Sequence, residues 1–247
     1  MSGVLDGWSL ISLTGVAAIV TVFLAGTVQG STGFGFNMLA APVLAVLDPA
    51  FVPGPMLVMA SAVCVGGALA ERQNVNRSDL GFALAGRLIA AAAAALVVGL
   101  LSPQAFSGLF GLAVLLAVAL SLAGWKIVTR PSTLFGAGLV SGFMGTLTSI
   151  GAPPMAIVYQ NAEPARMRAT LNAYFLFGGL ISIAALLLAG RFGWRDLALG
   201  GAMMPFALAG FLASGWGRRL MDRGRVKPVV IAVSLASAVV LLFRAFT

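Results

Sequence analysis

Long apolar runs, separated by short polar or charged breaks, dominate the chain. A membrane-spanning helix takes about 20 mainly apolar residues. The breaks divide the sequence into ten segments: 9–29, 37–47, 55–70, 80–101, 106–125, 133–149, 153–160, 169–189, 197–215 and 229–246. Two of them, 37–47 and 153–160, are only about half a span long. The pattern predicts an all-α, multi-pass bundle with short loops, in which the short segments either cross or close re-entrant hairpins with their predecessors.

Composition removes most alternatives. Of 247 residues, 60% are hydrophobic and 9% charged, against about 25% charged in a soluble domain. Too few charges are present to cover a water-facing surface, and the hydrophobicity is too high for disorder. With no histidine and a single cysteine, Cys64, the chain has no intrachain disulfide, no Cys/His zinc or haem site and no Ser-His-Asp or Cys-His nucleophile. The expectation is a protein that is not an enzyme and holds no metal or cofactor. The net charge of +8 would suggest nucleic acid in a soluble protein; here it reads as topology, with no nucleic-acid partner. Met1 to Trp8 contains no Lys or Arg, unlike the n-region of a cleaved signal peptide, so the first apolar stretch is expected to belong to the mature fold.

Charge also sets the orientation. With the N-terminus outside, the loops at 71–79, 126–132, 161–168 and 217–228 lie inside and carry eleven Lys and Arg, while Arg191, Arg195 and Arg244 lie outside. That is the positive-inside bias, and it predicts a multi-pass protein of the cell (inner) membrane. Trp8, Trp125, Trp194 and Trp216 fall near the predicted interfaces, as an aromatic belt would.

Two stretches repeat at a fixed offset. Gly26, Gly30, Gly33 and Pro42 match Gly138, Gly142, Gly145 and Pro154, each 112 residues on. Each match precedes a short, interrupted helix. Halves of five segments, 1–125 and 126–247, place the second copy upside down in the bilayer and give an inverted repeat. Helix breaks expose N–H and C=O groups that hydrocarbon cannot satisfy, so they persist only inside protein or beside water. Paired breaks in inverted halves point to a transporter's midplane site, where each restarting helix offers N–H groups and the positive end of its dipole to an anion. Hydroxyls and amides gather there: Gln29, Ser31, Thr32 and Asn37 at one break, Thr146, Thr148 and Ser149 at the other. Gly33, Gly35, Gly145 and Gly151 would let a ligand approach the backbone closely. Gly26-x-x-x-Gly30 and Gly138-x-x-x-Gly142 read instead as close helix contacts.

The run from Gly142 through Gly145, Thr146, Thr148, Gly151, Pro153 and Pro154, followed by Arg168-Ala169-Thr170, resembles the sulfite exporter TauE/SafE family. Gly33-Phe-Gly35-Phe-Asn-Met-Leu-Ala-Ala-Pro42 is similar to that family's N-terminal half. The resemblance covers nearly the whole chain. It implies a secondary transporter that exports a small sulfur-containing anion, such as sulfite, sulfoacetate or another organosulfonate. Ala152 and Pro153 after Gly151, and Phe36 after Gly35, depart from the family's glycine triplet.

Two arginines complete the expected site. Arg87 lies about 12 Å past the inner loop, at about 1.5 Å per residue. A charge at that depth is either functional or snorkels to the headgroups. Arg168 is either a positive-inside anchor or an anion-capturing group at the cytoplasmic mouth. No carboxylate falls mid-segment, so a buried acidic proton relay has no candidate. The membrane potential alone, worth about 2.3 kcal/mol per charge at 100 mV, can expel an anion. Arg218 to Lys227 reads as a topogenic anchor, Ala90 to Ala95 as a packing face and Cys64 as a small buried apolar residue. A passive anion channel, a carrier of non-sulfur carboxylates and a structural membrane subunit are the alternatives, and the small-residue faces allow a homodimer.

Overall fold

The computed structural model describes residues 12–123, 125, 127–215 and 226–246. They form ten α-helices and no strand. In chain order these are α1 (Leu13–Thr32), α2 (Phe36–Leu47), α3 (Gly54–Ala70), α4 (Arg77–Leu100), α5 (Pro103–Leu122), α6 (Pro131–Thr148), α7 (Ala152–Tyr159), α8 (Pro164–Leu188), α9 (Trp194–Leu212) and α10 (Val226–Phe246). The ten segments of the hydropathy pattern are all present, with α2 and α7 the short ones. Trp8, Trp216 and the basic residues from Arg218 to Arg225 lie outside the described residues.

Several helix starts fall earlier than hydropathy places them, because polar residues can begin a helix without belonging to a loop. Asn76 caps α4 by accepting from the Asp79 N–H at 3.2 Å, with Asp79 in the first turn where the dipole favours a carboxylate. Pro164 opens α8, its fixed φ and missing N–H suiting a first helical position. Arg166 and Arg168 therefore stand on α8 rather than in a loop.

Four helices are long and apolar enough to cross a membrane on length and composition alone: Leu13–Thr32, Arg77–Leu100, Gln104–Leu122 and Pro164–Leu188. Their outward faces carry exposed Leu24, Leu88, Leu96, Leu112 and Leu188, as helices facing lipid do. Polar connections gather at two ends. At one, Arg166 pairs with Asp79 at 3.0 Å and Arg168 with Glu71 at 2.6 Å, and Thr129 donates to the Val158 carbonyl at 2.9 Å. At the other, Asp196 lies against Gly54 and Arg191 donates to the Gly99 carbonyl. Exposed Trp125 and Trp194 sit at these opposite ends.

The helices pack in exchanged pairs. α1 runs along α9 and α6 along α4; α9 also meets α3, and α4 meets α8; α2 lies against α10, and α7 against α5. α3 meets α8, and α5 meets α10. Exchanging each of the first five helices with its counterpart among the last five converts each of the first six pairs into another of them and returns α3–α8 and α5–α10 to themselves. The closest approaches follow the same rule. A Cβ on Gly26 would lie 2.2 Å from the Ala207 carbonyl oxygen, and one on Gly138 2.1 Å from that of Ala83. A Cβ on Gly86 would lie 2.2 Å from the Phe135 oxygen, and one on Gly210 1.9 Å from that of Phe23. Hydrogen in place of a side chain lets these backbones touch.

Candidate functional site

Both interrupted hairpins turn through left-handed backbone. α1 ends at Gly33 (φ 81°), and Gly35 (φ 112°) precedes α2. α6 ends at Ser149, whose φ of 66° is uncommon for a residue with a Cβ. Each break must satisfy its own backbone groups, and buried side chains do this. Gln29 donates from Nε2 to the Gly33 carbonyl and to Asn172 Oδ1, both at 3.0 Å, while its Oε1 accepts from the Phe36 N–H at 3.1 Å. One amide thus splints the end of α1 to the start of α2. At the second break Ser141, 112 residues on from Gln29, donates to the Gly151 carbonyl at 2.5 Å. Thr32 donates to the Val28 carbonyl at 2.9 Å and accepts from the Phe34 N–H at 3.3 Å. Thr148 repeats that arrangement with the Met144 carbonyl at 2.8 Å and the Ile150 N–H at 3.2 Å.

The breaks meet. Asn37 Nδ2 donates to the Ser149 backbone oxygen at 2.7 Å, and Ser149 Oγ donates to the Pro53 carbonyl at 3.0 Å. Beside them lies a cavity of about 30 Å³ lined by Gln29, Gly35, Asn37, Ser149, Gly151 and Arg87. That is room for about two or three waters, at roughly 10–15 Å³ each by this measure. Leu57, Ala60 and Cys64 from α3, with Phe175 and Gly179 from α8, complete the wall.

Arg87 is the feature with the strongest chemistry. It is 2% exposed, so its guanidinium is buried rather than extended toward an end of the bundle. Nη2 donates to Ser182 Oγ at 3.1 Å, and Ser182 shares a 2.7 Å hydrogen bond with Thr146. The guanidinium carbon lies 5.3 Å from the Tyr174 ring centroid, a cation–π distance. Nε and Nη1 have no hydrogen-bond partner. Glycines make the room: a Cβ on Gly178 would lie 2.2 Å from Nε, and one on Gly145 3.2 Å from Nη2. Among the described residues, no acid lines the cavity. A permanently charged group is therefore held in a protein interior with two donors unused, which is costly unless an anion joins it. Asn37 Oδ1 and Ser61 Oγ are also buried without partners.

Of the sequence-derived site residues, Arg87, Asn37, Ser149 and Gly151 line the cavity. Thr146 reaches it through Ser182. Thr32 and Thr148 brace the breaks. Ser31 faces away, donating to the Thr27 carbonyl at 2.8 Å and that of Ser214 at 3.2 Å. Gly33 packs on the backbone of Arg168, and Arg168 spends its guanidinium on Glu71. Both stand outside the lining. The lining residues of α3 and α8 were not singled out by sequence, although Leu57, Ala60 and Cys64 recur at three- and four-residue spacing, as one helix face does.

The family model of the sulfite exporter TauE/SafE matches residues 18–241. No curated protein and no solved structure matches the chain.

Proposed function

Because the chain belongs to the sulfite exporter TauE/SafE family, which consists of transporters rather than enzymes, we propose that it carries sulfite or a small organosulfonate across the cell membrane by alternating access. One observation carries this reading: the buried, incompletely bonded Arg87 lines a cavity at the meeting point of two broken helices. The site would comprise Arg87, Asn37 and Ser149, with Gln29 and Gly151 shaping it and Ser182 and Thr146 positioning the guanidinium. The halves 1–125 and 126–247 form an inverted repeat in this reading, supported by the exchanged helix pairs and the 112-residue offset. Alternating access would rock one set of helices against the other around the fixed site. The N-terminus lies outside, supported by the Lys and Arg excess near Glu71, Asp79 and Arg168.

Counterflow in proteoliposomes tests the proposal. Labelled sulfite should enter vesicles preloaded with unlabelled sulfite, with saturation, and Arg87→Gln should remove this flux while the protein still inserts. Linear, unsaturable flux would instead identify a channel.

A further inference from the structure

A second, larger chamber adjoins the first. It measures about 380 Å³ and is lined by residues that include Val28, Phe34, Met38, Ile157 and Gln160. Gly35 belongs to the walls of both chambers, so they are separated there by backbone without a side chain. Ser121, Gln160 and Met167 place the larger chamber toward the end of the bundle where α5 and α7 finish and α8 begins. Its lining is mostly apolar, with Thr32, Ser121 and Gln160 as the polar members, and no charged residue lines it among the described residues.

Among the described residues the charges of the two chambers together therefore number one. A Cβ on Gly142 would lie 2.8 Å from the Arg87 backbone oxygen, and one on Gly30 2.9 Å from that of Phe211. Gly142 and Gly30 are 112 residues apart, and Ala83 and Gly86 recur as Ala207 and Gly210, 124 residues on. The same offset carries Arg87 to Phe211. The position matching the cation is aromatic, so the matching helix supplies no second guanidinium. The described acids are all elsewhere: Glu71 and Asp79 are held by Arg168 and Arg166, Asp196 accepts from the Gly193 N–H, Asp48 accepts from the Ala50 N–H, and Glu163 precedes α8.

We propose that this protein selects its solute by charge count: one singly charged oxyanion head seated at Arg87, with any remainder of the molecule short, uncharged and apolar, lying beyond Gly35 in the larger chamber. The proposal rests on the transporter reading and narrows it. A single negative charge neutralises Arg87. A second one, as on a sulfocarboxylate, would enter an apolar chamber with no cation among its described walls to meet it. An ammonium, as on an aminosulfonate, would meet no carboxylate there and would add to the unbalanced positive charge. Burying a charge without a partner is the costly case. Singly protonated sulfite, methanesulfonate and ethanesulfonate fit; sulfoacetate and taurine do not.

Calorimetric titration of the wild-type protein in nanodiscs tests this with near-isosteric solutes. Ethanesulfonate should bind at least tenfold more tightly than taurine or sulfoacetate. Equal or tighter binding of either doubly functional solute would overturn the charge-count proposal and leave the transporter reading standing. No binding of sulfite or of any sulfonate would overturn both. Met167→Lys, which places a cation on the wall of the larger chamber, should raise sulfoacetate affinity at least tenfold relative to ethanesulfonate. An unchanged ratio in the folded variant would overturn the placement of the remainder beyond Gly35.

Discussion

Asn37 and Ser149 are 112 residues apart in sequence and joined by a 2.7 Å hydrogen bond in space. That separation is also the offset between the two glycine runs, so each break touches the other at its own matching position. The bond is the only direct side-chain link described between the two interrupted hairpins across this offset. Asn37→Ala leaves the Ser149 carbonyl without this donor at a buried position, which costs about 1–3 kcal/mol. A lowered thermal midpoint in detergent, together with weaker sulfite binding, is expected; an unchanged midpoint would show that the breaks are held together by packing alone.

Gly178 tests whether the setting of Arg87 governs binding. An added methyl would lie 2.2 Å from Nε and 2.4 Å from Cδ, so Gly178→Ala must displace the guanidinium. Overpacking of this kind costs about 1–3 kcal/mol, and sulfite affinity should fall with it. Gly81→Ala provides the control, because nothing lies within 4 Å of its added carbon. There the helix should gain about 0.5–1 kcal/mol from the better helix former, with binding unchanged. Thermal unfolding with and without sulfite measures both.

The glycines of the helix crossings make a different prediction. At Gly138 and Gly210 the obstacle is backbone, at 2.1 and 1.9 Å, and it cannot rotate away as a side chain can. Gly138→Ala and Gly210→Ala should each separate a helix pair and remove the monodisperse species in size-exclusion chromatography. Their effects should be alike, since they act at matching crossings. Tolerance at both sites would mean that these crossings can open without loss of the fold.

Arg168 and Glu71 should matter little to solute binding. Their side chains are 26% and 25% exposed, and ion pairs of that kind contribute up to about 1 kcal/mol. A double-mutant cycle of Arg168→Gln and Glu71→Gln should give a coupling within that range, and sulfite affinity should be retained in all three variants. A loss of binding confined to Arg168→Gln would return this residue to the site.

Much of the fold was legible because its determinants are local. Apolar run length marked all ten helices, Gly33 and Gly35 marked the first break, where a positive φ calls for glycine, and Gly151 marked the second, where a Cβ would lie 2.6 Å from the Ser141 backbone oxygen. The errors at helix starts came from reading Asn76, Asp79 and Pro164 as loop when they are caps and first-turn residues. The site was harder to read. Ser31, Thr32 and Thr148 stood out as hydroxyls beside a break, yet each donates to the carbonyl four residues back in its own helix, a local bond that a Ser or Thr in a helix readily makes. Gln29 belonged to the polar cluster, but its role as a splint depends on Asn172, 143 residues away. The surroundings of Arg87 are also non-local: Tyr174, Gly178 and Ser182 recur every four residues on α8, a stripe that gains meaning only once α8 lies beside α4.

The pairing of Arg87 with Phe211 makes the molecule chemically lopsided on a skeleton whose contacts exchange. A guanidinium does not shed its proton, and sealing it away dry and alone is expensive. In the carrier reading proposed above, closing the chamber over that group is therefore favoured when a negative charge travels in with the solute. A carrier working by that route would resist idling: without freight, the stroke that exposes the far side would be the one its own electrostatics oppose.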